Sequence, residues 1–128
     1  MKKKKKVGST EINWLSTPED HDYPAAISYL SLMYDMEVAT ELAKQLELTP
    51  ICSYKAKDIF RASTLSLLGV SNSHVKKDKH KIQSGVALSP LLLIRDKLTT
   101  KVIIADGYHR LCAVYGFNED AVIPCKII

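Results

Sequence analysis

The stretch KVIIADGYHRLCAVYGF, residues 101–117, decides the fold because two different periodicities meet within it. Its β-branched run at residues 102–104 is typical of a buried strand, and the alanine-bearing apolar run after the motif is typical of a helix. We predict a strand followed at once by a helix from Asp106 to about Tyr115, with Gly116 as the C-cap. An acid, a glycine, a histidine and an arginine therefore gather where a strand passes into a helix.

The glycine, the arginine and the start of the helix at this junction favour the binding of an anion. A helix N-terminus exposes unpaired N–H groups and about half a positive charge, so it attracts phosphate. Gly107 lets a ligand approach the backbone closely, and Arg110 matches phosphate oxygens with two parallel donors. We predict phosphate binding at Gly107, Tyr108, His109 and Arg110, with Asp106 and His109 as the candidate catalytic residues. The pattern of a P-loop is absent.

Asp106 has three open roles at this junction: the N-cap of the helix, a contact to a magnesium ion, or a general base. A purely structural interpretation also stays open. In that interpretation Asp106 only caps the helix, Arg110 only pairs with a carboxylate, and His109 is an ordinary surface histidine.

Composition indicates one compact domain: 128 residues, 46% of them hydrophobic and 25% charged. The net charge is +4, and five positive charges lie in Lys2–Lys6, so the remainder is nearly neutral. Such a run is typically solvated, and DNA binding cannot be inferred from it. Three cysteines without a close pair favour reduced thiols and a cytoplasmic location. No apolar run approaches the roughly 20 residues of a membrane span, which predicts no membrane partner.

The chain divides into a basic, flexible arm over residues 1–21 and a single domain over residues 22–128. Within the domain, residues 22–48 read as a helical extension and residues 51–128 as the core. Trp14 and Leu15 are expected to pin the arm to the body. Whether the helical extension breaks at Asp35 stays open.

Capping residues, glycine and proline, together with the periodicity of apolar residues, predict the other helices and strands. Residues 51–57 alternate as a half-buried strand does, and a charged helix capped by Asn72 or Ser73 ends at Gly85. Residues 91–95, LLLIR, read as a buried strand, and a closing strand carries Pro124 at an edge or bulge. The predicted order is helix, strand, helix, strand, strand, helix, strand, which is a mixed α/β fold.

Residues 51–128 resemble the ParB/sulfiredoxin superfamily. YKAKDI resembles its opening strand, and HVKKDKHKIQSGVALSPLLLIRD resembles its helix, glycine, proline and strand. KVIIADGYHRLCAVYGFNEDAVIPCKI resembles its strand, G-x-x-R-x-x-A helix and closing strand with proline. The positions that match are Gly107, Arg110, Ala113, Gly116 and Pro124. The resemblance implies a small mixed β-sheet with flanking helices.

The resemblance also implies a nucleotide ligand, ATP, ADP or CTP with magnesium, whose phosphates lie on this motif. Tyr108 occupies the position of the catalytic cysteine in the sulfiredoxin G-G-C-H-R motif, which argues against sulfiredoxin chemistry. DGYHR is similar to the D-G-H-H-R of free-serine kinases, which implies phosphotransfer and carries Asp106, His109 and Arg110 onto the nucleotide site. The sulfiredoxin helix that contacts nucleotide suggests Ser73, Lys76 and Lys77 here.

Arg61 is a further candidate, because a loop after the first strand can reach the same pocket. The first hypothesis is an NTP-dependent phosphotransferase or hydrolase. The second is a non-enzymatic partition-like or regulatory module that binds nucleotide or DNA, and a ParB-like nuclease is third. Homo-oligomerisation is left open.

Overall fold

A computed structural model describes residues 11–128, so the Lys2–Lys6 run lies outside the described residues. The helices of this part are α1 (Asp22–Leu30), α2 (Met36–Leu48), α3 (Ala56–Ser63), α4 (Ser73–Gln83) and α5 (Tyr108–Phe117). Its strands are β1 (Cys52–Lys55), β2 (Leu91–Arg95), β3 (Val102–Asp106) and β4 (Val122–Ile127). They form one mixed sheet in the order β1-β4-β2-β3, which confirms the predicted mixed α/β fold.

The sheet combines both kinds of pairing. β1 runs antiparallel to β4, β4 runs parallel to β2, and β2 runs antiparallel to β3. β2 is apolar on both sides because helices cover both of its faces. Leu91 and Leu93 pack with the cluster under α3, α4 and α5, while Leu92 and Ile94 pack with the cluster under α1 and α2. The prediction of a buried strand at residues 91–95 is therefore confirmed.

The helix after the decisive strand begins later than predicted. The strand continues through Asp106, and α5 begins at Tyr108, because Gly107 at the junction adopts a left-handed conformation. Asp106 accordingly makes no capping hydrogen bond, so its assignment as the N-cap is wrong. Gly116 lies inside the helix, which ends after Phe117, so the prediction of a C-cap there is also wrong.

Two strand predictions are corrected. β1 covers only Cys52–Lys55, because α3 begins directly at Ala56. Pro124 lies in an interior strand and not at an edge. The N–H that proline lacks is not needed for the pairing with β1. Ala56 N donates to Ala121 O, so these two residues form a hydrogen-bonded pair. Antiparallel pairs alternate between hydrogen-bonded and non-hydrogen-bonded, so Pro124, three residues after Ala121, lies in a non-hydrogen-bonded pair with Ser53. The pairing with β2 begins only at the next residue.

Residues 11–21 lie against the body, unlike the flexible arm predicted for this part of residues 1–21. Trp14 forms a bridge with Leu88, and the backbone N–H of Leu15 donates to the Leu88 carbonyl at 2.8 Å.

The helical extension does divide, with Asp35 as the residue before α2. Asn72 caps α4 through hydrogen bonds from two backbone N–H groups, as one of the two predicted caps. No helix among residues 11–128 has the length and hydropathy to span a membrane.

Candidate functional site

A cleft of about 520 Å³ lies where the β3–α5 junction meets α4 and the start of α1. The junction contributes Asp106, Gly107, Tyr108, His109 and Arg110, all of them predicted from the sequence. The other two elements contribute His21, Asp22 and Ala25 from the region of α1, and His74, Lys77, Asp78 and Lys81 from α4. The predicted anion-binding motif thus forms one wall of a real concavity.

Gly107 is required by the geometry of the junction. Its φ is +111°, a conformation that side-chain-bearing residues rarely adopt. A Cβ at this position would lie 2.7 Å from Leu91 Cγ and 3.0 Å from Arg110 Nη2. Leu91 is completely buried and belongs to the core, so it has no space into which to move. The glycine therefore allows the strand to turn into the helix against a packed wall.

The N-terminus of α5 presents free donors to the cleft. The first backbone bond of the helix runs from Leu111 N to Gly107 O at 2.9 Å. The N–H groups of Tyr108, His109 and Arg110 precede that bond and have no acceptor within the helix. Because no side chain caps α5, these N–H groups and the positive end of the helix are available to an anion.

Arg110 is held between two carboxylates. Its Nη2 lies 2.9 Å from Asp106 Oδ2 and 3.9 Å from Asp22 Oδ2, and it also donates to the Pro90 carbonyl at 3.4 Å. The predicted pairing of Arg110 with a carboxylate is present. Its Nε is buried and has no hydrogen-bond partner among the described residues. The guanidinium is thus held through Nη2, and its buried Nε–H is left without an acceptor among the described residues.

The two carboxylates beside Arg110 differ in their surroundings. Asp22 is 2% exposed, and it accepts hydrogen bonds from the Ser89 hydroxyl and from the Glu19 backbone N–H. Burial raises the pKa of Asp106 above its ordinary value, although the Arg110 guanidinium opposes this. Since its Oδ2 is bonded to Arg110, a magnesium ion at Asp106 would share that carboxylate with the guanidinium.

The rings of His109 and His74 lie against each other in the cleft, tilted by 32° with their centroids 4.8 Å apart. Burial, and then the neighbouring His74, lower the pKa of His109, which favours the neutral imidazole at pH 7. A neutral imidazole can donate one hydrogen bond and accept another. A bound phosphate would reverse this preference, since a negative charge favours the protonated ring.

Asp78 is the third carboxylate of the cleft and lies on α4. It is 9% exposed, between Val75 and Ile82 on the buried side of the helix. Burial raises the pKa of Asp78, while Lys81, Arg110, His109 and Lys77 act against this shift through longer-range attraction. The cleft therefore contains a carboxylate that the structure keeps partly out of water.

Tyr108 contributes its backbone N–H to the cleft, because its hydroxyl is already hydrogen-bonded elsewhere. The hydroxyl donates to the carbonyl of Ser66, in the loop that precedes α4. Its ring also packs against the hydrophobic core. Cys112, one turn further along α5, is 1% exposed and does not line the cleft. The thiol that follows the motif is thus a core residue.

Of the four other residues predicted to bind phosphate, one lines the cleft and three lie outside it. Lys77 lines the cleft, whereas Ser73 and Lys76, which lie on the same helix, do not line it. Arg61 lines a separate hollow beside Phe60 and Tyr115, where its Nη1 pairs with Asp58 at 3.3 Å. The structure therefore brings Lys77 to the Gly107–Arg110 motif and leaves Arg61 apart from it.

The sequence interpretation did not assign six of the cleft residues to the site: His21, Asp22, Ala25, His74, Asp78 and Lys81. Asp78 did leave a signal, because Val75, Asp78 and Ile82 are spaced by three and four residues, which places an acid on the apolar face of a helix. Asp22 left none, since an acid at a helix start is ordinary. Its position beside Arg110 depends on the packing of α1 against β3.

A second cluster of polar groups lies at the rim of the cleft. One ligand atom from each of Glu19, His21 and Asp22 falls within 4.8 Å of the other two. His21 Nε2 is 3.4 Å from Asp22 Oδ1 and 3.8 Å from Glu19 Oε1. Carboxylates and imidazole are ligand types for divalent ions, although exposed groups of this kind also occur as simple ion pairs.

Comparisons of the chain with models of known protein families, with curated proteins and with solved structures found no match. What the cleft binds has therefore to be inferred from its own residues.

Proposed function

We propose that the cleft binds the phosphate groups of a nucleotide, ATP, ADP or CTP with magnesium, and that the chain is an NTP-dependent phosphotransferase or hydrolase. The observation that carries the proposal is the set of free N–H groups at Tyr108, His109 and Arg110, which open into a cleft with two lysines. Phosphate oxygens accept hydrogen bonds from such groups in many nucleotide sites.

The charges of the cleft support a ligand that is negative at one end. Arg110 is neutralised by Asp106 and Asp22, so the lysines of α4 are the cations that a phosphate can reach. Lys77 is exposed and Lys81 is half-buried, and both lie across the cleft from the α5 N-terminus. A phosphate between them would receive backbone donors from one wall and ammonium groups from the other.

The resemblance to the ParB/sulfiredoxin superfamily agrees with this assignment. The elements after residue 51 follow the order that the resemblance implies, with a glycine at the strand-to-helix junction. Arg110 and Ala113 of the G-x-x-R-x-x-A pattern have structural reasons to be present: the first is held by acids, and the second is completely buried. Membership of the superfamily remains part of the proposal.

A non-enzymatic module that binds nucleotide as a switch is the second candidate. The specific observation in its favour is the engagement of Asp106 with Arg110, which occupies one of the two predicted catalytic groups. DNA binding is less suited to this cleft, because its three basic side chains, Lys77, Lys81 and Arg110, are offset by Asp22, Asp78 and Asp106. Turnover of the nucleotide distinguishes the switch from the enzyme.

Reversing one charge tests the proposed site by calorimetry. We expect Lys77→Glu to weaken ATP-magnesium binding about ten- to a hundredfold, because one charge-assisted hydrogen bond contributes about 1.5–3 kcal/mol. Lys76→Glu is the matched control, since it changes the same charge on the same helix outside the cleft. Equal affinities for both variants and the parent would contradict the assignment, as would the failure of ATP, ADP and CTP to bind the parent.

A further inference from the structure

Cys52 and Cys125 face each other within the sheet. Cys52 is the first residue of β1, and in the antiparallel register it lies directly opposite Cys125 of β4. Their Sγ atoms are 3.9 Å apart, which is within hydrogen-bonding distance for two thiols, and both cysteines are free. The two residues are 73 positions apart along the chain. The fold therefore creates a pair of thiols that the spacing of the cysteines in the sequence does not show.

The backbone geometry of this pair suits a covalent bond between the two sulfur atoms. Ala56 and Ala121 form a hydrogen-bonded pair, and pairs alternate along the two strands, so Cys52 and Cys125 also form a hydrogen-bonded pair. The Cα atoms of such a pair are about 5.5 Å apart. Disulfides join cysteines whose Cα atoms are about 4.4–6.8 Å apart. Rotation of the side chains can therefore join the two thiols without a change in the register of the strands.

The two thiols differ in their access to solvent. Cys52 is half-buried, whereas Cys125 is completely buried, so a reagent in solution meets the sulfur of Cys52 first. Burial, and then the neighbouring Cys52, raise the pKa of Cys125 to about 12, which makes its thiol a weak nucleophile toward free reagents at neutral pH. Its contact with Cys52 offsets this weakness, because a sulfur held beside its target reacts at a high effective concentration.

The third cysteine, Cys112, shows how a cysteine that only packs differs from this pair. It belongs to the same hydrophobic cluster, but the groups that act on its sulfur are the Leu68 backbone and the Tyr108 side chain. Packing as a small apolar residue is sufficient to explain such a thiol. Cys52 and Cys125 add the feature that disulfide chemistry requires, which is a second thiol in register opposite the first.

We infer that Cys52 and Cys125 are a site of reversible oxidation, at which a low-molecular-weight disulfide converts the two thiols into an intramolecular disulfide. In reducing compartments such bonds are typically transient and serve as redox sensors. The bond ties the edge strand β1 to the interior strand β4 and restricts the unfolded chain between residues 52 and 125. The oxidised chain therefore resists unfolding more than the reduced chain. This inference is independent of nucleotide binding.

The oxidation takes two thiol–disulfide exchange steps. The Cys52 thiolate attacks one sulfur of the reagent, the S–S bond of the reagent breaks, and one thiolate leaves with the electron pair. The Cys125 thiolate then attacks the Cys52 sulfur of the mixed disulfide, and the second reagent thiolate leaves. The two leaving thiolates take up the two protons that the cysteines lost. Two cysteine thiols are thus oxidised to one disulfide, and one reagent disulfide is reduced to two thiols.

Mass spectrometry of the folded full chain after incubation with oxidised glutathione tests the inference. We expect the parent to lose two hydrogen atoms and to contain one disulfide, which links the peptide with residue 52 to the peptide with residue 125. Dithiothreitol is expected to reverse the change. The melting temperature of the oxidised parent is expected to exceed that of the reduced parent by roughly 5–20 °C.

Three variants separate the roles of the cysteines, and circular dichroism establishes that each is folded. Cys125→Ala is expected to stop after the first step, with one glutathione retained on Cys52. Cys52→Ala is expected to leave Cys125 unmodified, because that thiol is completely buried. Cys112→Ala is the matched control: it removes a buried thiol outside the pair and is expected to form the same disulfide as the parent.

The parent chain decides the inference even if a variant does not fold. A parent that keeps its three free thiols, that retains glutathione without forming the internal bond, or that forms a disulfide between two chains contradicts it. A disulfide that includes Cys112 also contradicts it, because another thiol reaches that buried sulfur only after unfolding. An oxidised parent that melts no higher than the reduced parent contradicts the stabilising role. A reversible bond between residues 52 and 125 with a higher melting temperature supports the inference.

Discussion

Arg110→Met is expected to lower the free energy of unfolding by about 3–5 kcal/mol, the usual effect of removing one partner from a buried ion pair. Asp106 and Asp22 would then face each other without a cation, and Asp22 is almost completely buried. The methionine replaces most of the aliphatic volume, so the loss reports the charge and not a cavity. Urea unfolding monitored by circular dichroism measures it.

The loss is expected to depend on pH. Burial already raises the pKa of Asp106, and removal of Arg110 takes away the group that opposes this rise. A carboxyl whose folded pKa lies above its unfolded value binds more protons in the folded state. Stability then falls as the pH rises above the unfolded value of about 4. The deficit of Arg110→Met is therefore expected to be larger at pH 7 than at pH 4.

Two further variants make the result specific. Adding Asp106→Asn to Arg110→Met is expected to restore part of the stability, since it removes one of the two uncompensated charges. Arg61→Met is the matched control, because that arginine is exposed and pairs with an exposed acid, and we expect a change of less than about 1 kcal/mol. An equal loss for both arginines would contradict the buried clamp.

Gly107→Ala is expected to lower the free energy of unfolding by about 2–5 kcal/mol. A left-handed conformation costs a residue with a Cβ about 1–2 kcal/mol, and overpacking of a core typically adds about 1–3 kcal/mol. Both terms apply, because φ is +111° and the new Cβ would lie 2.7 Å from the buried Leu91 side chain. Thermal and urea unfolding measure the change.

Gly69→Ala is the matched control for this substitution. Gly69 has no atom within 4 Å of its ideal Cβ position and does not have a positive φ. Alanine there restricts the unfolded chain, so we expect stability to change little or to rise by about 0.4–1 kcal/mol. If Gly107→Ala were as harmless as Gly69→Ala, the tight strand-to-helix junction described above would be wrong.

Helices and strands were predictable where the apolar periodicity agreed with the glycine, proline and capping residues at their ends. Residues 91–95 form a continuous apolar run, and both faces of that strand proved to be covered. The start of α5 was misplaced by two residues, because sequence alone does not show which residue takes the left-handed conformation at a D-G pair. Pro124 was misplaced because strand order depends on long-range packing, which the segment itself does not encode.

The candidate site was likewise predicted only in part, because some of its residues are brought together by long-range packing. Its contiguous wall, Asp106 to Arg110, could be read from a single motif. The opposite walls come from residues 25 (Lys81 to Asp106) to 89 (His21 to Arg110) positions away along the chain, and only tertiary structure brings them together. Asp78 is the intermediate case: an acid on an apolar helical face is visible in the sequence, but the cleft that it lines is not.

Backbone amide chemical shifts in a ¹⁵N-labelled sample test the central claim most directly. We expect a titration with ATP-magnesium to shift the amide signals of Tyr108, His109 and Arg110 more than those of the α3 hollow around Arg61, because these free N–H groups would hydrogen-bond to phosphate. Lys77 and Lys81 are expected to respond as the second wall. Unchanged signals at residues 108–110 under saturating ATP, ADP and CTP would contradict a phosphate site at the start of α5.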